Sequence, residues 1–206
     1  MTAPLVAVLD YGIGNLRSAE KALARVGADA RLTDDPDLAS RAAGVVLPGV
    51  GAFGRCMEAL RESSLDKVAL DAVAAGTPFL GVCIGMQLLY EGSEEDPAVP
   101  GLGVLEGTVR RLPDGVKRPQ MQWNVLERRE GPPSGALRGI DDPVWVYFVH
   151  SFAAAGDGPH VVATCAYGTS VAAGVERDRL WATQFHPEKS SDAGLRILGN
   201  FVGSLR

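Results

Sequence analysis

Short apolar runs that alternate with helical segments are the feature that most constrains the fold of this chain. Residues 5–9, 44–48 and 79–82 are almost wholly apolar and are as long as typical strands. Apolar residues at helical spacing occupy the segments between them. A strand that is apolar on both sides must be covered on both sides, and helical connections between such strands produce a parallel sheet. We therefore predict an α/β fold whose open, mostly parallel sheet is flanked by helices.

The expected elements of the first half have recognisable boundaries. Asn15 is a good cap for a helix that Gly27 ends. Residues 34–40 are expected to form a short polar connection, and residues 56–63 a helix. The apolar run over residues 84–90 has the spacing of an amphipathic helix.

The second half has a different pattern. Strand-length segments follow one another and are separated by Gly, Pro and Asp turns. We predict antiparallel strands added to the sheet in the C-terminal half, and a final helix over about residues 192–205. The loop over residues 92–101 is the best candidate for a boundary, and we interpret it as a lid or linker within one domain that covers residues 1–206.

The composition argues against several classes of protein. The net charge of −5 is spread along the chain rather than gathered into a basic stripe, which argues against nucleic acid as a partner. Apolar runs are too short for a membrane span. The three cysteines are widely spaced without a C-x-x-C pair, which argues against a disulfide framework and a zinc site. We expect a cytoplasmic protein that is not exported, with no bound metal or cofactor.

The segment G-V-C-I-G at residues 81–85 joins an apolar strand to the predicted helix and has the form of a nucleophile elbow. Its glycines allow a tight, strained turn. Such a turn places the sulfur of Cys83 at a helix N-terminus, where unpaired N–H groups favour a thiolate. The alternative is a packed, inert thiol, which is the expected role of Cys56 and Cys165. We interpret Cys83 as a nucleophile.

A thiolate nucleophile needs a base and an acid that orients the base. His186 follows an apolar strand and begins H-P-E, and in an extended chain the side chain of Glu188 lies on the same side. Pro187 disfavours a helical conformation of His186 and holds that geometry. The pattern predicts His186 as the base and Glu188 as the orienting carboxylate. His160 is expected to be a solvated loop residue, whereas His150 either lines the same pocket or belongs to the core.

An attacked carbonyl group also needs donors for its oxyanion. The N–H of Ile84 is one, and the segment P-G-V-G-A-F-G at residues 48–54 can supply a second. A peptide beside a glycine rotates at low steric cost, so the N–H of Val50 could point away at rest and turn inward on activation. The same glycines match G-x-G-x-x-G. The acidic residue expected about twenty positions on falls in a helix near Asp71, which argues against a dinucleotide site.

Six segments spread along the chain match one known family. They are DYGIGNLRS (10–18), PGVGAF (48–53), GVCIGMQLLYEGSEE (81–95), QWN (122–124), YFVHS (147–151) and HPEKS (186–190). With them, the sequence resembles the class I (triad) glutamine amidotransferases, and more closely the glutaminase subunits of imidazole glycerol phosphate synthase. The resemblance implies a flavodoxin-like fold in which Cys83, His186 and Glu188 form a catalytic triad.

The resemblance also implies a function. It is the hydrolysis of L-glutamine to L-glutamate and ammonia, and the ammonia passes to a (β/α)₈-barrel cyclase subunit in a heterodimer. The cyclase makes imidazole glycerol phosphate and aminoimidazole carboxamide ribotide in L-histidine biosynthesis. Gln87, Glu95 and Ser151 would hold glutamine, with the main chain near Gly51 closing the pocket. The residues that the resemblance places toward the partner are Asn15, Trp123, Tyr147 and Lys189.

One departure and three alternatives accompany this interpretation. Gln120 and Gln122 stand where relatives often have His and Gly in P-H-x-G-W-N, a change that concerns the partner face and leaves the catalytic residues untouched. The alternatives are a glutaminase subunit for another synthase, such as one of amino-sugar biosynthesis, a catalytically silent glutamine-binding or scaffold subunit, and a cysteine peptidase. The intact set of Cys83, His186 and Glu188 argues against a silent subunit.

Overall fold

The computed structural model of the protein describes residues 2–14, 16–131 and 133–205. In chain order, the strands are β1 (Leu5–Leu9), β2 (Asp29–Thr33), β3 (Gly44–Leu47), β4 (Phe79–Val82), β5 (Tyr90–Ser93), β6 (Leu105–Arg111), β7 (Gln120–Arg128), β8 (Val144–His150), β9 (Phe152–Ala153), β10 (Val161–Ala166), β11 (Ser170–Arg177) and β12 (Leu180–Thr183). The helices are α1 (Leu16–Arg25), α2 (Pro36–Ser40), α3 (Phe53–Glu62), α4 (Leu65–Ala74), α5 (Ile84–Leu88), a 3₁₀ helix (Pro187–Lys189) and α6 (Ser191–Gly203).

A mixed sheet of nine strands forms the centre of the described ranges, in the order β2-β1-β3-β4-β12-β11-β10-β7-β8. The pairs from β2 to β12 are parallel. The pairs from β12 to β8 are antiparallel. Every residue of β3 and β4 is buried, as expected for central strands with helices on both faces. The predicted fold class, with antiparallel strands added in the second half, is confirmed. A smaller sheet contains β5, β6 and β9.

Local contacts explain where the elements differ from the prediction. Residues 34–40 contain the short helix α2, whose first residue is Pro36 and whose cap is Asp35, because the Asp35 carboxylate accepts a 2.9 Å hydrogen bond from the N–H of Asp37. Helix α3 begins before residue 56, at Phe53. Helix α5 ends at Leu88, and the chain then pairs in parallel with β6 as strand β5.

Of the other sequence predictions, the structure shows the end of α1, whereas those on Asn15, residues 92–101 and the single domain are not tested. Helix α1 ends just before Gly27, which has a φ of +99°, as a glycine helix stop requires. Asn15, the predicted cap and partner contact, lies outside the described residues. The role of residues 92–101 as a lid or linker stays a prediction, as does the single domain over residues 1–206. Each helix within the described ranges is too short or too polar to cross a membrane.

The turn between β4 and α5 packs against the neighbouring strand β3. A Cβ atom at Gly85 would overlap the backbone carbonyl of Leu47. A Cβ atom at Gly81 would lie 3.0 Å from the carbonyl oxygen of Gly85. Close backbone approach therefore requires a glycine at position 85, and at position 81 it leaves little space for a side chain.

We expect Gly85→Ala to lower the free energy of unfolding by about 1–3 kcal/mol, because the new methyl group forces β3 and α5 apart. Gly203→Ala is the matched control, since a Cβ atom at Gly203 meets nothing within 4 Å. The control should be neutral or stabilising by a few tenths to about 1 kcal/mol, because alanine favours helix. Urea unfolding midpoints measure both changes, and equal midpoints for the two variants would contradict the packing argument.

Candidate active site

A cavity of about 230 Å³ opens beyond the carboxyl ends of β3 and β4. Parallel α/β sheets place their binding sites at this edge. The predicted nucleophile, base, oxyanion donors and substrate contacts all line it. They are Cys83, His186, Ile84, Val50, Gly51, Gln87, Glu95 and Ser151. Glu188 is not among the residues that line the cavity, and it contacts Nδ1 of His186.

Cys83 occupies the turn between β4 and α5 in a conformation that few residues adopt. Its φ is 55° and its ψ is −109°. Its N–H donates a 2.7 Å hydrogen bond to the carbonyl oxygen of Thr183, and its own carbonyl oxygen accepts from the N–H of Gln87 at 3.2 Å. A backbone strained in this way costs about 1–3 kcal/mol and persists only where its surroundings hold it. The turn is strained, as predicted, and the role of Cys83 as the nucleophile stays a prediction.

His186 and Glu188 form a buried pair beside the cysteine. The Nδ1 atom of His186 lies 2.8 Å from Oε1 of Glu188, and the side chains are 2% and 6% exposed. Because a carboxylate only accepts, Nδ1 is the donor. Nε2 is buried and has no hydrogen-bond partner among the described residues. The pairing is as predicted, but its path differs. The chain leaves His186 as a 3₁₀ turn, so Glu188 folds back onto the ring rather than extending past it.

Opposing effects act on the pKa of His186. Burial lowers this pKa, but the neighbouring Cys83 and the hydrogen-bonded carboxylate of Glu188 raise it to about 9. The net direction shows that the two acidic partners outweigh desolvation. Near neutral pH the site therefore favours the protonated, imidazolium form of His186.

His150 belongs to the wall of the same cavity, where its pKa shifts in the opposite direction. Burial and the nearby charge of His186 together lower the pKa of His150 to about 4, against a hydrogen bond to Phe152 that raises it. Nδ1 donates to the carbonyl oxygen of Phe152 at 2.9 Å. Its buried Nε2 has no hydrogen-bond partner within the described part of the chain. His150 is thus a neutral ring that offers an acceptor, and the pocket-wall alternative is the correct one.

Two glutamine side chains connect the cysteine to the opposite wall. Gln87 donates through Nε2 to the carbonyl oxygen of Phe152 at 2.9 Å and to Oε1 of Gln184 at 3.0 Å. Gln184 in turn directs its Nε2 to the sulfur of Cys83 at 3.8 Å. The sequence analysis missed Gln184. Its position two residues before His186 on an extended segment was the available signal, since such residues face the same side.

Two side chains hold the segment over residues 48–54 by hydrogen bonds to its backbone carbonyl groups. The hydroxyl of Tyr11 donates a 2.7 Å hydrogen bond to the carbonyl oxygen of Pro48. The thiol of Cys56 donates to the carbonyl oxygen of Val50 at 3.5 Å. Burial raises the pKa of Cys56 to about 11, so it remains a thiol. The peptide between Gly49 and Val50 lies between these two fixed carbonyls.

The predicted contacts at the rim are more exposed. Glu95 accepts a 2.8 Å hydrogen bond from the N–H of Phe53 through Oε2, and this bond fixes its carboxylate at the mouth. Ser151 is half-buried beside it. Among the described residues, no cluster of three or more His, Cys, Asp and Glu side chains could hold a metal ion.

The outer face of β7 and β8 carries an exposed apolar surface, which we call the apolar ribbon. Trp123 pairs with Tyr147 across the two strands, and their rings meet edge to face at 6.2 Å. Trp123 is 45% exposed. The ribbon consists of Met121, Trp123, Val125, Trp145, Tyr147 and Val149. Val149 also lines the cavity, so the ribbon reaches the active-site mouth.

The remaining residues of the predicted partner face differ in exposure. Lys189 and Gln122 are exposed. Gln120 is fully buried, and its Nε2 faces the sulfur of Cys165 at 3.6 Å. Gln120 therefore belongs to the interior beneath the ribbon rather than to its surface.

Comparisons with known proteins identify the family of this chain. Residues 7–204 match the family described as glutamine amidotransferase class-I. The imidazole glycerol phosphate synthase subunit HisH of Symbiobacterium thermophilum is 47% identical over 95% of this chain and 92% of its own length. That of Mycobacterium bovis is 48% identical over 100% of both chains.

Solved structures show a similar fold. A crystal structure of a glutamine amidotransferase covers 96% of this chain and 98% of its own, with a TM-score of 0.74 and 24% identity. A chain of PurLQS from Thermotoga maritima covers 100% of both, with a TM-score of 0.79 and 20% identity. At these identities the likeness supports the fold alone.

We expect Glu188→Gln to lower the pKa of His186, because a neutral amide no longer stabilises the imidazolium. In the wild type this pKa is raised from 6.5 to about 9. The stability gained by protonating His186 is therefore complete below pH 6.5 and is lost as the pH rises to about 9. The variant should lose less of its free energy of unfolding over that interval.

Urea unfolding at several pH values, with an NMR titration of the imidazole, measures this difference. Glu58→Gln is the control, because Glu58 forms only an exposed pair with Arg55 within the described ranges. Its pH dependence should match that of the wild type. An unchanged slope in Glu188→Gln would contradict the assigned cause of the shift.

Proposed function

Because the chain belongs to the class I glutamine amidotransferase family and, within it, to the HisH subunits of imidazole glycerol phosphate synthase, we propose that the cavity hydrolyses L-glutamine. One observation carries this proposal. The imidazole of His186 is oriented by Glu188 through Nδ1, and it lines the same cavity as Cys83. This arrangement suits nucleophilic acyl transfer, since nucleophile, base and orienting carboxylate are all in place.

The first half-reaction releases ammonia. The thiolate of Cys83 attacks the carboxamide carbon of glutamine, and the carbonyl oxygen becomes an oxyanion. The N–H groups of Ile84 and of the segment around Val50 and Gly51 stabilise it, each worth roughly 3–4 kcal/mol. When the intermediate collapses, the C–N bond breaks, and the imidazolium of His186 gives its Nε2 proton to the departing nitrogen. Ammonia and a glutamyl thioester result.

The second half-reaction restores the enzyme. Neutral His186 takes a proton from a water molecule, and the resulting hydroxide attacks the thioester carbon. The C–S bond breaks, Cys83 leaves as a thiolate, and glutamate is released. Glutamine and water are thus converted to glutamate and ammonia. General acid–base help of this kind accelerates reactions by roughly 10²–10⁴.

The rim residues suit an amino acid substrate. The carboxylate of Glu95 is fixed at the mouth by the N–H of Phe53, and an ammonium group is its natural partner. Ser151 offers a hydroxyl beside it. The two N–H groups of Gln87 are already used by Phe152 and Gln184, so Gln87 meets glutamine through its buried Oε1.

Cys83→Ala should lower glutamate release by about a thousandfold or more, because removal of a nucleophile removes the covalent step. Cys165→Ala is the matched control, since Cys165 is also buried but lies on β10, away from the cavity. The control should keep most of the activity. Release is measured with a coupled glutamate assay. Retained activity in Cys83→Ala would refute the mechanism.

The product explains why a partner is needed. Ammonia in neutral water is mostly protonated and is then no nucleophile, so it needs a protected route to its acceptor. We propose a cyclase subunit with a (β/α)₈ barrel as that partner. It would use the ammonia to make imidazole glycerol phosphate and aminoimidazole carboxamide ribotide in histidine biosynthesis. The apolar ribbon supports this proposal, because exposed apolar surface of this kind is typical of interfaces. Trp123, Tyr147 and Lys189 are the proposed contacts.

The segment beneath the mouth supports a regulated oxyanion donor. Tyr11 and Cys56 hold the carbonyl oxygens of Pro48 and Val50, so the peptide between Gly49 and Val50 can rotate while its neighbours stay fixed. We propose that the N–H of Val50 turns toward the oxyanion when the partner is bound to its own substrate. A ligand shifts such an equilibrium only by binding one state better than the other.

Trp123→Ala should weaken binding of the cyclase by roughly tenfold or more, because large aromatic residues contribute most to interfaces. Leu70→Ala is the control, since Leu70 is also exposed and apolar but lies on α4, outside the ribbon. Isothermal titration of each variant with the barrel cyclase measures the change. Equal affinities for both variants would refute the proposed interface.

Glutamate release by the wild type is measured alone, with the cyclase, and with the cyclase and its nucleotide substrate. Release that rises strongly only in the full mixture supports the rotating donor. Equal release in all three mixtures would refute it.

A further inference from the structure

A buried amide that the catalytic triad does not include faces the reacting sulfur. Gln184 is fully buried, and its Nε2 lies 3.8 Å from the sulfur of Cys83. The two residues are 101 positions apart along the chain. Burial of a polar side chain is unfavourable unless its hydrogen bonds are made. The contact with the sulfur supplies a partner for the buried NH₂ group of Gln184.

The orientation of the Gln184 amide follows from its neighbours. The carbonyl oxygen of Phe152 can only accept, so Gln87 must present its NH₂ group there, at 2.9 Å. The same NH₂ group lies 3.0 Å from Gln184, which must therefore present its oxygen to Gln87. The NH₂ group of Gln184 is left to face the sulfur. The backbone carbonyl of Phe152 thus fixes the direction of two successive amides.

The backbone that carries Gln184 is also fixed relative to the nucleophile. Strands β12 and β4 pair in parallel, with Thr183 opposite Val82. The N–H of Cys83 donates to the carbonyl oxygen of Thr183 at 2.7 Å, and the N–H of Gln184 donates to Ala173 on β11 at 3.0 Å. The residue after Thr183 therefore stands beside Cys83 with little freedom to move.

We propose that Gln184 is a donor to the reacting sulfur, which holds and stabilises the Cys83 thiolate before attack and again when it leaves the thioester. Gln87 is the positioning residue that directs this donor. The inference rests on the proposed function of the cavity. A hydrogen bond to an ionised acceptor is roughly twice as strong as one to a neutral acceptor, so this donor favours the thiolate over the thiol and over the uncharged thioester sulfur.

Gln184→Glu tests the donor selectively. A glutamate keeps an oxygen that accepts from Gln87 but replaces the NH₂ group at the sulfur by a second carboxylate oxygen. The pH profile of Cys83 alkylation by iodoacetamide, followed by mass spectrometry of the Cys83 peptide in the intact chain, should move upward by about one pH unit or more. The value of kcat for glutamine should fall by about tenfold or more, with a smaller change in KM.

Gln184→Met, which removes both hydrogen bonds without adding charge, should shift the alkylation profile in the same direction and decides the question if Gln184→Glu does not fold. Gln120→Met is the matched control, because Gln120 is also fully buried and also directs Nε2 to a thiol, that of Cys165. The control should leave the Cys83 profile unchanged.

The outcomes separate this inference from the proposed function. An alkylation profile that is the same in the wild type and in both folded Gln184 variants would overturn the inference, even if the wild type hydrolyses glutamine. A shifted profile in a chain that releases no glutamate would support the inference and refute the proposed function. A shift of equal size in Gln120→Met would also overturn the inference, because the effect would then be general to buried amides.

Discussion

The parallel pairing of β12 with β4 is the constraint on which the site depends. It places Thr183 opposite Val82, so the residues that follow the two strands emerge at the same edge of the sheet. The chain supplies the nucleophile after one strand and the base after the other, although about a hundred residues separate them. A shift of this register by one residue would turn the side chains after β12 to the opposite face. The hydrogen bond from the N–H of Cys83 to Thr183 extends the same ladder into the turn.

Two histidines in one cavity show how partners decide protonation. His186 and His150 are both nearly inaccessible, and burial alone lowers the pKa of each. His186 has a carboxylate and a thiol as partners and becomes easier to protonate. His150 has a backbone carbonyl and a neighbouring cationic ring, and it stays neutral. The site thus contains one ring suited to give a proton and one whose free nitrogen, Nε2, is suited to accept a hydrogen bond.

The sequence predicts those features of the site that depend on residues close together in the chain. The glycines around Cys83 predicted a strained turn because close backbone approach excludes other residues there. The spacing of His186 and Glu188 predicted their pairing, although not the 3₁₀ turn through which it forms. Strand order, by contrast, arises from contacts between distant segments. Short elements such as α2 and β5 carry too few residues for a periodic pattern to be read.

Gln184 and His150 were hard to predict for a related reason. The only local signal for Gln184 is its two-residue spacing from His186, and its partners Gln87 and Cys83 lie far away in the chain. His150 could not be assigned to core or cavity from its strand alone, because both positions require an inward side chain. The register of β8 with β7 and the position of Phe152 decide the question, and both are tertiary properties.

The shared position of Val149 has a consequence for how the cavity meets water. This residue belongs both to the apolar ribbon and to the cavity wall. A molecule that covers the whole ribbon, including Val149, therefore also covers part of the cavity opening. Binding of such a molecule would then also exclude water from the cavity. Uncharged ammonia would be released into a cavity that is closed to solvent.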